Sequence, residues 1–153
     1  MTMAKHLLTL LTLFVVTSVQ SAEGTDVSTS AKAYYPKATW QEKSVLTGDF
    51  TCQGRQEYAI LGTSEELIVI AVFVRGLGEK PEILEYSAKA RVAKWAELSK
   101  VSLDYDPMEE VGYELEGFAR SKTCSGLNLT DNEIDSAHIY WDVKAKVFRD
   151  WVR

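Results

Sequence analysis

For covalent or metal chemistry this sequence offers two histidines, His6 and His138, and two cysteines, Cys52 and Cys124. His6 falls in a leader-like segment, so a Ser-His-Asp or Cys-His arrangement must draw on His138. His138 sits in an alternating run on the face opposite Ile139 and Trp141, a placement read as structural. A zinc site with several histidine ligands fails on the same count. Gly76-Leu77-Gly78 lacks the third glycine and the following helix of a dinucleotide-binding turn. No catalytic, cofactor or metal-ligating residue is assigned.

Carboxylates are the abundant reactive group. Asp104, Asp106, Glu109, Glu110, Glu114 and Glu116 form the most acidic stretch, with no Lys or Arg between Val101 and Ala119. Such a run fits a solvated face, or an acidic surface that captures a basic partner through complementary fields over a Debye length of about 10 Å. A hydrolase would need two of these acids roughly 5 to 9.5 Å apart across a cleft, which linear spacing does not display.

A second acidic motif opens the domain. Asp49, Thr51, Gln53, Gly54 and Glu57 fall at positions one, three, five, six and nine of a calcium-loop outline. Thr51 and Gln53 are neutral, leaving too little charge to hold the ion, so the expectation is a metal-free turn pinned by Cys52.

These residues must be positioned by a chain of 153 residues, 46% apolar and 25% charged, with a formal charge of −5. That suits one globular domain and argues against nucleic-acid binding, which needs a basic surface. Residues 1–21 read as a cleaved signal peptide: Lys5 and His6, an apolar run from Leu7 to Val16, then a polar run ending at Ser21. Removing it takes away Lys5 and no acid, leaving 16 basic against 22 acidic residues on 132. The mature charge is then −6. Cys52 and Cys124, an even pair in an exported chain, read as a disulfide. Closing so long a loop stabilises by roughly 4 kcal/mol on the chain-entropy model.

Residues 22–33 are small and polar with no apolar period, and are expected as a mobile tail before a single domain over 34–153. Tyr34, Tyr35 and Trp40 follow, either sealing a core edge or forming an exposed sticky patch. Residues 57–62 and 66–75 read as paired strands, with Leu67 to Val74 apolar throughout, as in a strand covered on both faces. Residues 82–86 read as a third strand, 87–99 as containing one helix, 98–105 as a strand and 111–118 as a weaker one. Ala137, Ile139, Trp141 and Val143 share one face of a strand that turns through Lys144-Ala145 into a last strand carrying Val147, Arg149 and Trp151. The fold class expected is α+β, strand-dominated, with an antiparallel sheet, one or two short helices and one disulfide.

The turn at 48–61 resembles the aspartate- and glycine-containing turn, followed by an apolar strand, of FG-GAP-like exported bacterial proteins. Ser121-Lys122-Thr123-Cys124-Ser125-Gly126-Leu127-Asn128-Leu129, Asp135 to Trp141 and Phe148 to Trp151 resemble a group of small exported bacterial proteins ending in a Tyr-Trp hairpin. The resemblance implies export and a fold and carries no activity; Thr51 and Gln53 depart from its metal-binding version. The functional expectation is a non-catalytic periplasmic or secreted binding protein for a basic protein, in its sharpest form an inhibitor or immunity protein. The alternatives are an envelope hydrolase using a carboxylate pair, and an envelope structural or assembly factor with an apolar patch around Tyr34, Tyr35 and Trp40.

Overall fold

The computed structural model describes residues 19–87, 95–130 and 136–152, with side chains from residue 23 onward. Two antiparallel sheets lie face to face. In the first, β3 (Glu57–Ser64) pairs with β1 (Thr39–Trp40) and β2 (Leu46–Gly48) on one side and β4 (Leu67–Phe73) on the other. β5 (Glu82–Ser87) closes the far edge of β4. The second sheet runs β6-β7-β8-β9, from β6 (Glu97–Leu103) and β7 (Ser121–Thr130) to β8 (Ala137–Asp142) and β9 (Val147–Val152).

Strand alternation explains this stacking. Ala59 and Leu61 on β3 and Ile68, Ile70 and Val72 on β4 face Leu98, Leu127, Leu129, Ala137 and Ile139 of the second sheet, forming the core between them. Ile60, Ala71 and Phe73 point the other way, to a second cluster. β4 is therefore apolar at every position because both of its faces are covered, as its composition implies. The β3–β4 hairpin turns at Glu65, in the left-handed region at φ 52°, and the β8–β9 hairpin turns at residues 143–146 as its sequence indicates.

The expected mobile tail over 22–33 is instead part of α1 (Val19–Tyr34). Val27 and Ala31, one helical turn apart, are wholly buried against Ile60, Ala71 and Phe73. Close approach is possible because Gly24 lies against the 3-10 turn at Glu42–Ser44: a Cβ there would stand 3.0 Å from the Glu42 carbonyl oxygen. A single apolar pair gives no readable period, which is why the segment looks like a tail. The leader expected over 1–21 lies outside the described residues except at Val19, Gln20 and Ser21. Of the helix expected within 87–99, residues 88–94 lie outside them; β5 reaches Ser87 and β6 begins at Glu97.

Tyr34, Tyr35 and Trp40 fasten α1 to the first sheet. The Tyr34 hydroxyl donates to the Gly78 carbonyl at 2.9 Å, the Tyr35 hydroxyl to Glu85 at 2.6 Å, and Trp40 Nε1 to the Tyr35 carbonyl at 3.3 Å. The Trp40 ring lies directly on Gly62, where any side chain would collide.

Candidate functional site

The outer face of the second sheet presents Leu103, Cys124, Tyr140 and Trp151, and residues 104–118 lie across it. The weak strand expected over 111–118 is an irregular cover instead. Tyr105, Val111, Leu115 and Phe118 turn down onto the sheet, while Gly112 and Gly117 adopt φ of +86° and +67° that no alternating strand permits. Rings knit the layer together. Phe118 meets Tyr105 at 4.9 Å and Tyr140 at 5.5 Å, and Trp151 Nε1 donates to the Tyr105 hydroxyl at 3.1 Å. Burial raises the Tyr105 and Tyr140 hydroxyls above the ordinary tyrosine range.

With Tyr105, Val111, Leu115 and Phe118 committed to the sheet, Asp106, Glu109, Glu110, Glu114 and Glu116 are exposed and Asp104 is half-buried. Asp106 caps α2 (Pro107–Glu110): its Oδ1 accepts from the Met108 N–H at 2.9 Å, with proline in the first turn. Asp104 accepts from Arg120 Nε at 2.8 Å, a bond that holds the guanidinium still more firmly charged. Glu116 meets Arg149 at 3.2 Å. Glu109, Glu110 and Glu114 are exposed. The structure thus brings the six acids into one layer, with Asp104 and Glu116 each beside an arginine and Asp106 bonded to a backbone N–H.

Two adjoining clefts open on this layer, separated by residues 114–116. The larger, about 680 Å³, has Tyr105, Leu115 and Phe118 for a floor and Asp106, Glu114, Glu116, Arg120 and Lys144 around it. Arg120 is already matched by Asp104, so the three acids outweigh Lys144 and the cleft is net negative. The smaller, about 360 Å³, lies between Tyr113 and residues 148–150 of β9.

Sequence reasoning missed the post beneath the clefts. Asp142, 1% exposed, accepts from the Lys144 N–H at 2.9 Å, the Ala145 N–H at 2.8 Å and Arg149 Nε at 2.6 Å. The Ala145 N–H, then Arg149 and the Lys144 N–H, hold its carboxyl below the usual range against the opposing effect of burial. Gly117 packs directly on it: a Cβ there would fall 1.8 Å from Oδ1. The signal available was an aspartate opening a short turn, as at any Asx turn.

The motif at 49–57 closes on itself. Asp49 accepts from the Gln53 N–H at 2.9 Å and the Gly54 N–H at 2.8 Å. Glu57, fully buried, accepts from the Phe50 and Thr51 N–H groups, the Thr51 hydroxyl and, at 3.3 Å, Arg55 Nε. Cys52, at φ 57°, is disulfide-bonded to Cys124 of β7, with Cα atoms 5.2 Å apart. His138 stacks on Trp151 at 4.3 Å beside the covering layer. Among the described residues no group of three or more His, Cys, Asp or Glu side chains could hold a metal ion, and no helix is long and apolar enough to cross a membrane.

Fold and site together define a disulfide-bonded pair of antiparallel sheets with a helix over one outer face and an acidic cover over the other. No protein-family model, curated protein or solved structure matches this chain.

Proposed function

We propose that this chain is a non-catalytic binding protein of the periplasm or extracellular space, docking a basic protein through residues 104–118 and their clefts. Its sharpest form is an inhibitor or immunity-type protein acting on a cationic muramidase or antimicrobial factor. The observation that carries the reading is the division of labour in the cover. Tyr105, Val111, Leu115 and Phe118 are spent on the sheet, while Glu109, Glu110 and Glu114 are exposed beside a net-negative cleft with an aromatic floor. Cationic side chains gain both from carboxylates and from ring faces. Met108 and Tyr113, 53% and 52% exposed, add apolar anchors beside the charge. The disulfide is compatible with a setting outside the cytoplasm, and the leader-like residues 1–21 add to that reading.

Three acids do border one cleft, the arrangement a hydrolase would use. A general acid working near neutral pH needs burial or a crowding like charge to keep its proton. Asp106, Glu114 and Glu116 are all exposed, and Glu116 faces a guanidinium. The geometry therefore favours docking over proton transfer. The assembly-factor alternative draws less support, since the polar atoms of Tyr34, Tyr35 and Trp40 fasten α1 to the body.

The test immobilises the chain from residue 22 onward and measures association with a cationic muramidase, and the muramidase's activity, at low and high salt. Expected are capture that weakens as salt rises, and its loss when Glu109, Glu110 and Glu114 are together replaced by lysine. Capture unaffected by salt and by that triple replacement would remove the electrostatic basis of the proposal.

A further inference from the structure

The second sheet ends on β9, and no described strand pairs with its outer side. The opposite edge strand, β6, carries exposed Glu97 and Lys100, and Lys100 Nζ is tied to the Thr47 carbonyl at 3.2 Å. Charged side chains of this kind blunt an edge against further pairing. On β9 the charges are Arg149, drawn onto Asp142 at 2.6 Å and Glu116 at 3.2 Å, and the exposed Asp150, which lies on the opposite face toward Tyr86 of β5. Val147 and Val152, at the two ends of the strand, are 44% and 61% exposed. The strand contains no proline. Alongside it runs the smaller cleft, between Tyr113, Glu114 and Glu116 of the cover and Phe148, Arg149 and Asp150 of β9.

From this juxtaposition we infer that β9 is a strand-addition site for an extended basic segment of the partner. This deepens the docking reading and rests on it. The incoming strand hydrogen-bonds to the open backbone edge of β9 and continues the second sheet. Alternate side chains on its outer face enter the cleft, because successive residues of a strand point to opposite faces. The charge there selects what enters. Arg149 balances Asp142, and Glu114 and Glu116 of the cover favour lysine or arginine. Val147 and Val152 supply apolar contact at the ends. Affinity comes from main-chain bonds, and preference for a basic sequence comes from the acids.

Three synthetic peptides of about ten residues, the length of a long strand, test this on the full chain. One alternates lysine and threonine, the second is the same sequence N-methylated at alternate residues, and the third carries glutamate for lysine. Binding is measured by titration, and backbone amide hydrogen exchange is followed in each mixture. The lysine peptide is expected to bind and to slow exchange in residues 147–152. N-methylation should weaken it about tenfold or more, since it removes backbone donors and leaves the charge intact. The glutamate peptide should not bind. Equal binding by the N-methylated peptide, or slowed exchange confined to 104–118, would overturn strand addition and leave side-chain docking of a basic protein standing. Failure of the lysine peptide while the cationic muramidase is still captured would do the same. Failure of both ligands would remove the docking reading as well.

Discussion

At residues 49–57 the carboxylate of Glu57 points into the protein; at 104–116 those of Glu109, Glu110 and Glu114 point out of it. Glu57 is sealed from solvent and answered by two backbone N–H groups, a hydroxyl and a guanidinium, so its charge organises a turn. Glu109, Glu110 and Glu114 stand exposed on a segment held by its apolar residues. A buried charge lacking such partners would cost several kcal/mol, on the order of a small domain's whole stability, whereas an exposed one costs little and remains available to a partner. The same residue type therefore serves structure in one region and the surface field in the other. Separating the two regions experimentally means asking which acids the fold needs.

The largest effect should come from the link between them. The disulfide ties Cys52 of the inward turn to Cys124, which lies under the outward cover with Leu103, Tyr140 and Trp151. Replacing both cysteines by serine should lower the unfolding free energy by about 4 kcal/mol, because the bridge closes a long loop in the unfolded chain. Urea unfolding of the two proteins measures it. A loss below about 1 kcal/mol would mean that the two regions are held without the bridge and that the comparison joins independent parts.

Next comes Glu57→Ala, expected to cost about 3 kcal/mol by leaving the Phe50 and Thr51 N–H groups buried without an acceptor. Glu57→Gln keeps the shape but turns an amide toward donors, and should be nearly as costly. Thermal unfolding reads both. If Glu57→Ala melts with the native chain, the inward acid is dispensable and the contrast between the regions collapses.

Much of this arrangement was legible beforehand, and the reasons are local. The all-apolar run of β4 and the alternating last hairpin declare strands because their patterns repeat over several residues. The disulfide followed from two cysteines in a chain read as exported. α1 escaped because Val27 and Ala31 are one pair on an otherwise polar helix. The direction of each acidic motif was less accessible, since inward or outward placement depends on contacts made far along the chain. Glu57 reaches its donors within a few residues, and a neutral-ligand calcium outline was the shadow of that turn. Asp142 and Gly117 are separated by 25 positions (142 − 117), and only the packing of the cover on the β8–β9 hairpin brings them together.

That contact gives a smaller, pH-dependent effect. Gly117→Ala would force a methyl group into the Asp142 carboxylate at a positive φ, and should cost about 2 kcal/mol. Asp142 has a carboxyl held below its unfolded value. Its contribution is therefore complete above roughly pH 4 and is lost as pH falls further, through the depressed folded value. Unfolding measured from pH 6 downward should show this acid limb in the native chain and a shallower one in Asp142→Asn. An identical limb in both would place the acid sensitivity elsewhere.

The smallest effect on stability, and the one that most directly divides the two regions, belongs to the outward acids. Replacing Glu109, Glu110 and Glu114 by lysine removes no buried contact, so unfolding should move by no more than about 0.5 kcal/mol per site. Its sign is informative. The chain carries excess negative charge, and nearby Asp104, Asp106 and Glu116 repel the three glutamates. Lysines should therefore leave the protein equally stable or slightly more stable at low salt, with the gain shrinking as salt screens it. A surface that weakens its own fold by clustering like charge, and loses only partner capture when that charge is reversed, is one whose charge is directed at something outside the molecule. A marked loss of stability in the triple variant would show instead that these acids hold the cover in place, making 104–116 a second structural motif like the one at 49–57.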